Sequence, residues 1–138
     1  LGVGLGGLPL AIRTAQPEFA YTYQPAHVVL LDVAAETGAI GALLYLGILL
    51  LPWLALVRHR LRWTPELAAT SAALAAATVV GLFDYYTWSY PAGRIWTWVI
   101  LALWAAAYGR ATARELVAER GATPAAAVGR PAPEAAGA

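Results

Sequence analysis

Residues 37–57 read TGAIGALLYLGILLLPWLALV, a run from Thr37 to Val57 that carries no charged side chain. As a helix it is long enough to cross a hydrocarbon core of about 30 Å, so the chain is read first as a membrane protein. The composition agrees: 138 residues would fit one compact unit, but 60% hydrophobic and 12% charged is too apolar for a soluble domain. Outward from this run, Leu67 to Phe83 is a second charge-free stretch just long enough to span. Ile95 to Gly109 is a third, short for a span unless Arg94 and Arg110 snorkel in opposite directions. The expected fold is therefore all-α: a polytopic transmembrane protein with about three spans, near 38–57, 67–83 and 95–109. Residues 1–26 would be the end of an extracytoplasmic loop. Residues 110–138 would be a cytoplasmic tail, largely disordered from 121, where alanine, proline and glycine leave little to bury.

The basic residues set the orientation. Arg58, His59, Arg60 and Arg62 form a turn with Trp53 and Trp63 beside it as ring anchors, and Arg110, Arg114, Arg120 and Arg130 follow the third run. Seven arginines thus lie on one side against Arg13 and Arg94 on the other, which by the positive-inside rule makes that side cytoplasmic. Ahead of the first run, Gly2, Gly4, Gly6 and Gly7 interrupt regular structure, Pro9, Pro17 and Pro25 punctuate it, and Phe19, Tyr21 and Tyr23 alternate as in a short extended segment at headgroup level. Pro25 suits a first helical position, Gly38, Gly41 and Ala42 offer a small-residue face for a neighbouring helix, and Pro52 predicts a kink. Between the second and third runs, Phe83, Asp84, Tyr85, Tyr86, Trp88 and Tyr90 make an aromatic belt around a loop closed by Pro91 and Gly93.

Without cysteine, disulfides and thiolate metal sites are unavailable, and two scattered histidines make a structural zinc improbable, so neither metal nor cofactor is expected. A net charge of +1 argues against a nucleic-acid partner. There is no methionine and Leu1 opens inside a glycine-rich run, so the chain is read as the C-terminal piece of a longer polytopic protein, with further N-terminal helices as partners.

His27 followed by Gly38-x-x-Gly41, the run Ala34-Ala35-Glu36-Thr37-Gly38, and Gly2-Val3-Gly4-Leu5-Gly6 ahead of them resemble the C-terminal signature of the O-antigen ligase and polymerase family of membrane proteins. Phe83-Asp84 and Gly93-Arg94 resemble it more loosely. The resemblance implies a glycosyltransferase of GT-C-like architecture in the bacterial inner membrane. Such an enzyme moves a glycan from undecaprenyl diphosphate to a lipid, sugar or protein acceptor, without a metal. It implies that His27 is the family's loop histidine. The sequence departs at Val28, where the family commonly has an amide or serine.

Glycosyl transfer from a diphosphate needs a base near the acceptor hydroxyl and cations around the leaving group. An imidazole's unperturbed pKa lies near neutrality, which makes His27 the candidate catalytic base. Arg13 offers a forked pair of donors to phosphate oxygens. Glu36, Arg94 and Asp84 are the further substrate-binding candidates. Each has a plainer reading. His27 could be a helix-start histidine bonded to backbone, and Arg13 could touch lipid headgroups. Glu36 could pair with an arginine or cap the loop, and Asp84 could pair with Arg94 across it. Asp32 and Glu36 share a helix face, with His27 about 140° to 180° around it, so the three form no simple triad. The rival function is a transporter-like or binding protein of the same fold. Thr70, Ser71, Thr78 and Thr97 are almost the only polar groups along the spans, which favours chemistry at the membrane face over passage through it.

Overall fold

The computed structural model describes residues 1–18, 25–59 and 62–122. Phe19, Tyr21, Tyr23, Arg60, Arg130 and the tail from Thr123 lie outside the described residues, and so do the expectations that fall on them. The described residues are helical with no strand: α1 (Leu8–Ala15), α2 (Val29–His59), α3 (Pro65–Phe83), a single 3-10 turn at Tyr85–Thr87, and α4 (Pro91–Ala122).

Two of these, α2 and α3, are long and apolar enough to cross a membrane. Only 17% of the apolar window in each is buried, and Ile40, Leu43, Leu44, Leu51 and Leu54 of α2 face outward. A helix from a soluble core would bury those side chains. The third expected span is not matched in the same way. Ile95 to Gly109 is 15 residues, about 22 Å at 1.5 Å per residue, and the helix that contains it continues with Arg110 and Arg114.

Helix boundaries differ from the sequence reading at four places. The expected loop at 1–26 contains α1, which starts with proline in its first turn after Gly7, where a fixed φ costs no hydrogen bond. The long helix starts at Val29 rather than Pro25, because the Leu31 and Asp32 amides both donate to the Val28 carbonyl, at 3.0 and 3.1 Å, while His27 and Val28 form a bend. The expected tail is helical as far as Ala122. Its first turns pack against the start of α3, where the Arg62 amide donates to Glu115 Oε1 at 2.7 Å and Ala111 is buried.

The fourth difference is the break in α2. It falls at Gly38, with φ 80° and ψ 178°, while Pro52 sits inside the helix without breaking its dihedrals. A left-handed φ of this kind suits glycine because a Cβ would clash. Interrupting the helix frees carbonyls, and the N-terminal segment takes them up: the Val3 amide donates to Ala35 O and the Gly4 amide to Glu36 O, both at 2.9 Å. A methyl group on Gly2 would collide with the Glu36 carbonyl, and one on Gly38 would lie 3.1 Å from the Gly2 nitrogen. At Gly38 the small residue therefore admits the backbone of residues 1–2. Gly41 lies against Thr37 of its own helix.

Two clusters hold the helices. Leu67 and Leu74 of α3 pack against Trp104, Ala107 and Ala111 of α4, flanked by Trp53 and Leu56 of α2. Inside this seam the Trp104 indole donates to Ser71 Oγ at 3.0 Å, so neither polar atom is left bare. Val29, Val33 and Tyr45 of α2 form the second cluster with Trp88, whose ring meets Tyr45 edge-on at 5.4 Å. Thr64 caps α3, its hydroxyl accepting from the Leu67 amide at 3.2 Å.

Candidate functional site

The second cluster lies at the end of the bundle where α2 begins and where α3 connects to α4, and the polar residues gather there. Asp84 ends α3, its amide donating to Val80 O at 2.8 Å. The 3-10 turn then reverses the chain, and the Trp88 and Ser89 amides both return to Tyr85 O, at 3.0 and 2.9 Å. These bonds present Trp88 and Ser89, adjacent in sequence, to Glu36 and Asp32, one helical turn apart on α2. The Trp88 indole donates to Glu36 Oε2 at 3.0 Å, and the Ser89 hydroxyl donates to Asp32 Oδ2. Asp32 is fully buried and Glu36 nearly so. Gly93 allows the turn to sit close against α4, since a Cβ there would strike the Tyr86 carbonyl.

Beside this clamp is a mixed polar cavity of about 210 Å³ lined by Gly6, Pro9, Pro25, Glu36, Trp88, Ser89 and Arg94. It unites Glu36 with Arg94, which is half-buried one turn after Tyr90 on α4. A carboxylate and a guanidinium on one small cavity can hold a ligand bearing both hydroxyls and negative charge. His27 is exposed, two residues from the cavity-lining Pro25, and its ring lies 5.5 Å from that of Tyr85. Arg13 is exposed in the last turn of α1, one turn beyond Pro9.

Asp84 does not join Arg94 as the loop pair expected from the sequence. Its Oδ1 is buried without a hydrogen-bond partner, whereas Arg94 turns to the cavity it shares with Glu36. The backbone at Asp84 is extended, φ −152° and ψ 150°, between the end of α3 and the 3-10 turn. Asp32 Oδ1 is also buried without a partner. Glu36 meets an indole rather than an arginine, so it holds the loop. Sequence reasoning missed Trp88 and Ser89 as partners. Their bonds to α2 cross 52 and 57 residues, and no local pattern announces them.

A second cavity, also of about 210 Å³ but almost wholly apolar, lies between α2, α3 and α4. It runs from Val29 and Thr87, at the polar end, past Tyr45 and Leu49 to Trp53 and Leu74. Thr78 and Thr97 on its wall return their hydroxyls to the carbonyls of Leu74 and Gly93, at 2.8 and 2.9 Å, so they present little polarity to it. Among the described residues no group of three or more acidic, histidine or cysteine side chains could hold a metal ion. Comparisons with protein families, with curated proteins and with solved structures found no match to this chain.

Proposed function

We propose that this chain is the C-terminal part of a membrane glycosyltransferase similar to the O-antigen ligases and polymerases. It would move a glycan from undecaprenyl diphosphate to a lipid, sugar or protein acceptor during cell-surface polysaccharide synthesis. The observation that supports this reading best is the pairing of Glu36 and Arg94, 58 residues apart, on one polar cavity next to the His27 bend. An apolar cleft opens from the same end of the bundle, as a substrate with a charged head and an isoprenoid tail requires.

In this mechanism the isoprenoid lies along the cleft between Val29 and Trp53, and the diphosphate faces Arg94, with Arg13 as a second cation. His27 takes the proton of the acceptor hydroxyl while that oxygen bonds to the anomeric carbon. The bond from this carbon to the diphosphate oxygen breaks, and the leaving group keeps the electron pair, its growing charge met by guanidinium. The loop bonds to Asp32 and Glu36 hold Arg94 and His27 in register. In the bacterial inner membrane the His27 end would face outward and the arginine-rich end, Arg58 to Arg62 and Arg110 to Arg120, would face the cytoplasm. Helix α4 would then serve as the third span, with Arg94 snorkelling outward.

A transporter-like reading draws on one observation, the buried Asp32 carboxylate with an unpaired oxygen, since an ionisable group inside a span often marks an ion path. Donor consumption separates the two. In membranes carrying the complete protein, His27→Ala is expected to lower turnover of undecaprenyl diphosphate-linked glycan by about 10²-fold or more at normal expression. Turnover at the wild-type level in that variant removes His27 from the mechanism, and no turnover in either protein beside an active relative removes the transferase reading.

A further inference from the structure

The ring of His27 begins a row. It lies 5.5 Å from Tyr85; Tyr85 and Tyr86 stack at 5.6 Å with their planes 4° apart; Tyr86 meets Tyr90 at 5.1 Å and 38°. The last two rings are half open to the surroundings, Tyr86 at 48% and Tyr90 at 53%. The backbone beneath them is fixed by the Trp88 and Ser89 amides on Tyr85 O, by the Arg94 amide on Tyr90 O at 2.9 Å, and by the close seat of Tyr86 O over Gly93. The row is thus held before any ligand arrives.

The geometry points to a carbohydrate-stacking platform: Tyr86 and Tyr90 receive the C–H face of a neutral pyranose ring, beside the cavity that holds Glu36 and Arg94. This rests on the transferase reading and assigns the part of the site that grips the glycan rather than the bond being broken. The faces of aromatic rings carry the negative lobe of the quadrupole, and the C–H groups on one face of a pyranose carry slight positive charge. The sugar hydroxyls project around the edge, free to bond with tyrosine hydroxyls and water. A simple interfacial belt requires only that each ring reach the headgroup depth and gains nothing from mutual stacking. Phe83, Trp96 and Trp98 fit that pattern, exposed with no ring partner among the described residues. The tyrosines instead contact one another in series and end on His27. Tyr90 is also one helical turn from Arg94, so a sugar on the platform and a charged group in the cavity fall within one extended ligand.

The test uses the complete protein in phosphatidylcholine nanodiscs and a panel of neutral hexasaccharides of glucose, galactose and rhamnose, with saturation-transfer NMR and titration of intrinsic fluorescence. At least one hexasaccharide is expected to bind. Tyr86→Ala and Tyr90→Ala should each weaken it roughly tenfold, while Tyr86→Phe and Tyr90→Phe stay within about twofold because the ring face remains. No binding by the wild type overturns the platform, and so does wild-type binding in both alanine variants. Quenching of the tyrosines by brominated lipids with no sugar effect identifies headgroup anchors and also overturns it. Sugar binding that persists where donor turnover is absent sinks the transferase reading and leaves the platform standing. Turnover undisturbed by the alanine variants, without sugar binding, does the reverse.

Discussion

The seam between α3 and α4 and the joint between α2 and the α3–α4 connection are built on opposite plans. The seam is a column of Leu67, Leu74, Trp104, Ala107 and Ala111 with one internal hydrogen bond, and every residue in it does what its apolarity dictates. The joint contains a glycine at positive φ, two buried carboxylates and a loop bonded to both. The seam could be rebuilt from other apolar residues of similar volume, whereas the joint depends on particular atoms facing one another. Stability should therefore be concentrated in the first and function in the second.

The sharpest way to break that contrast is Leu67→Ala, which empties a fully buried site in the seam. Leu67, unlike Leu74, lines no part of the apolar cavity, so this change is expected to cost about 2–5 kcal/mol in unfolding measured in nanodiscs, with turnover per folded molecule unchanged. If turnover per folded molecule falls with it, the two regions are one unit. Next comes Gly38→Val, which forces a β-branched residue to positive φ and should cost about 1–3 kcal/mol while displacing the Gly2 backbone. A variant as stable as the wild type would show that the helix closes through this position. Trp88→Phe keeps the ring beside Tyr45 and strips the indole donor from Glu36. It is expected to cost about 1–3 kcal/mol and to lower donor turnover more than Leu67→Ala does. The smallest effect is that of Thr64→Ala, which removes the cap of α3. A loss of about 1 kcal/mol is expected with no change in turnover, checked by thermal unfolding.

The two regions also differ in how far they were legible. The apolar runs of α2 and α3 announce themselves, because span length is a count along the chain. The helical extension of α4 is legible too: Arg110-Ala111-Thr112-Ala113-Arg114-Glu115 is rich in strong helix formers and carries no breaker. Helix α1, eight residues among glycines and prolines, is too short for propensity to identify. The Gly38 break was hidden for another reason. A glycine in an apolar run reads as room for a neighbouring helix, and only the amides of Val3 and Gly4 reveal that the room belongs to backbone. Likewise the side-chain types at His27, Glu36 and Arg94 suggested chemistry, but their arrangement follows from Trp88 and Ser89, far along the chain.

That break also imposes an order on biosynthesis. The amides of Val3 and Gly4 find their acceptors on Ala35 and Glu36, 32 residues later in each case, so the opening segment leaves the ribosome before its partners do. It must wait, solvated, until the first part of α2 follows. Residues 1–4 are made before α2, so the chain that meets the break at Gly38 is already present when the helix forms. The break is thus met by chain older than the membrane-length helix it interrupts.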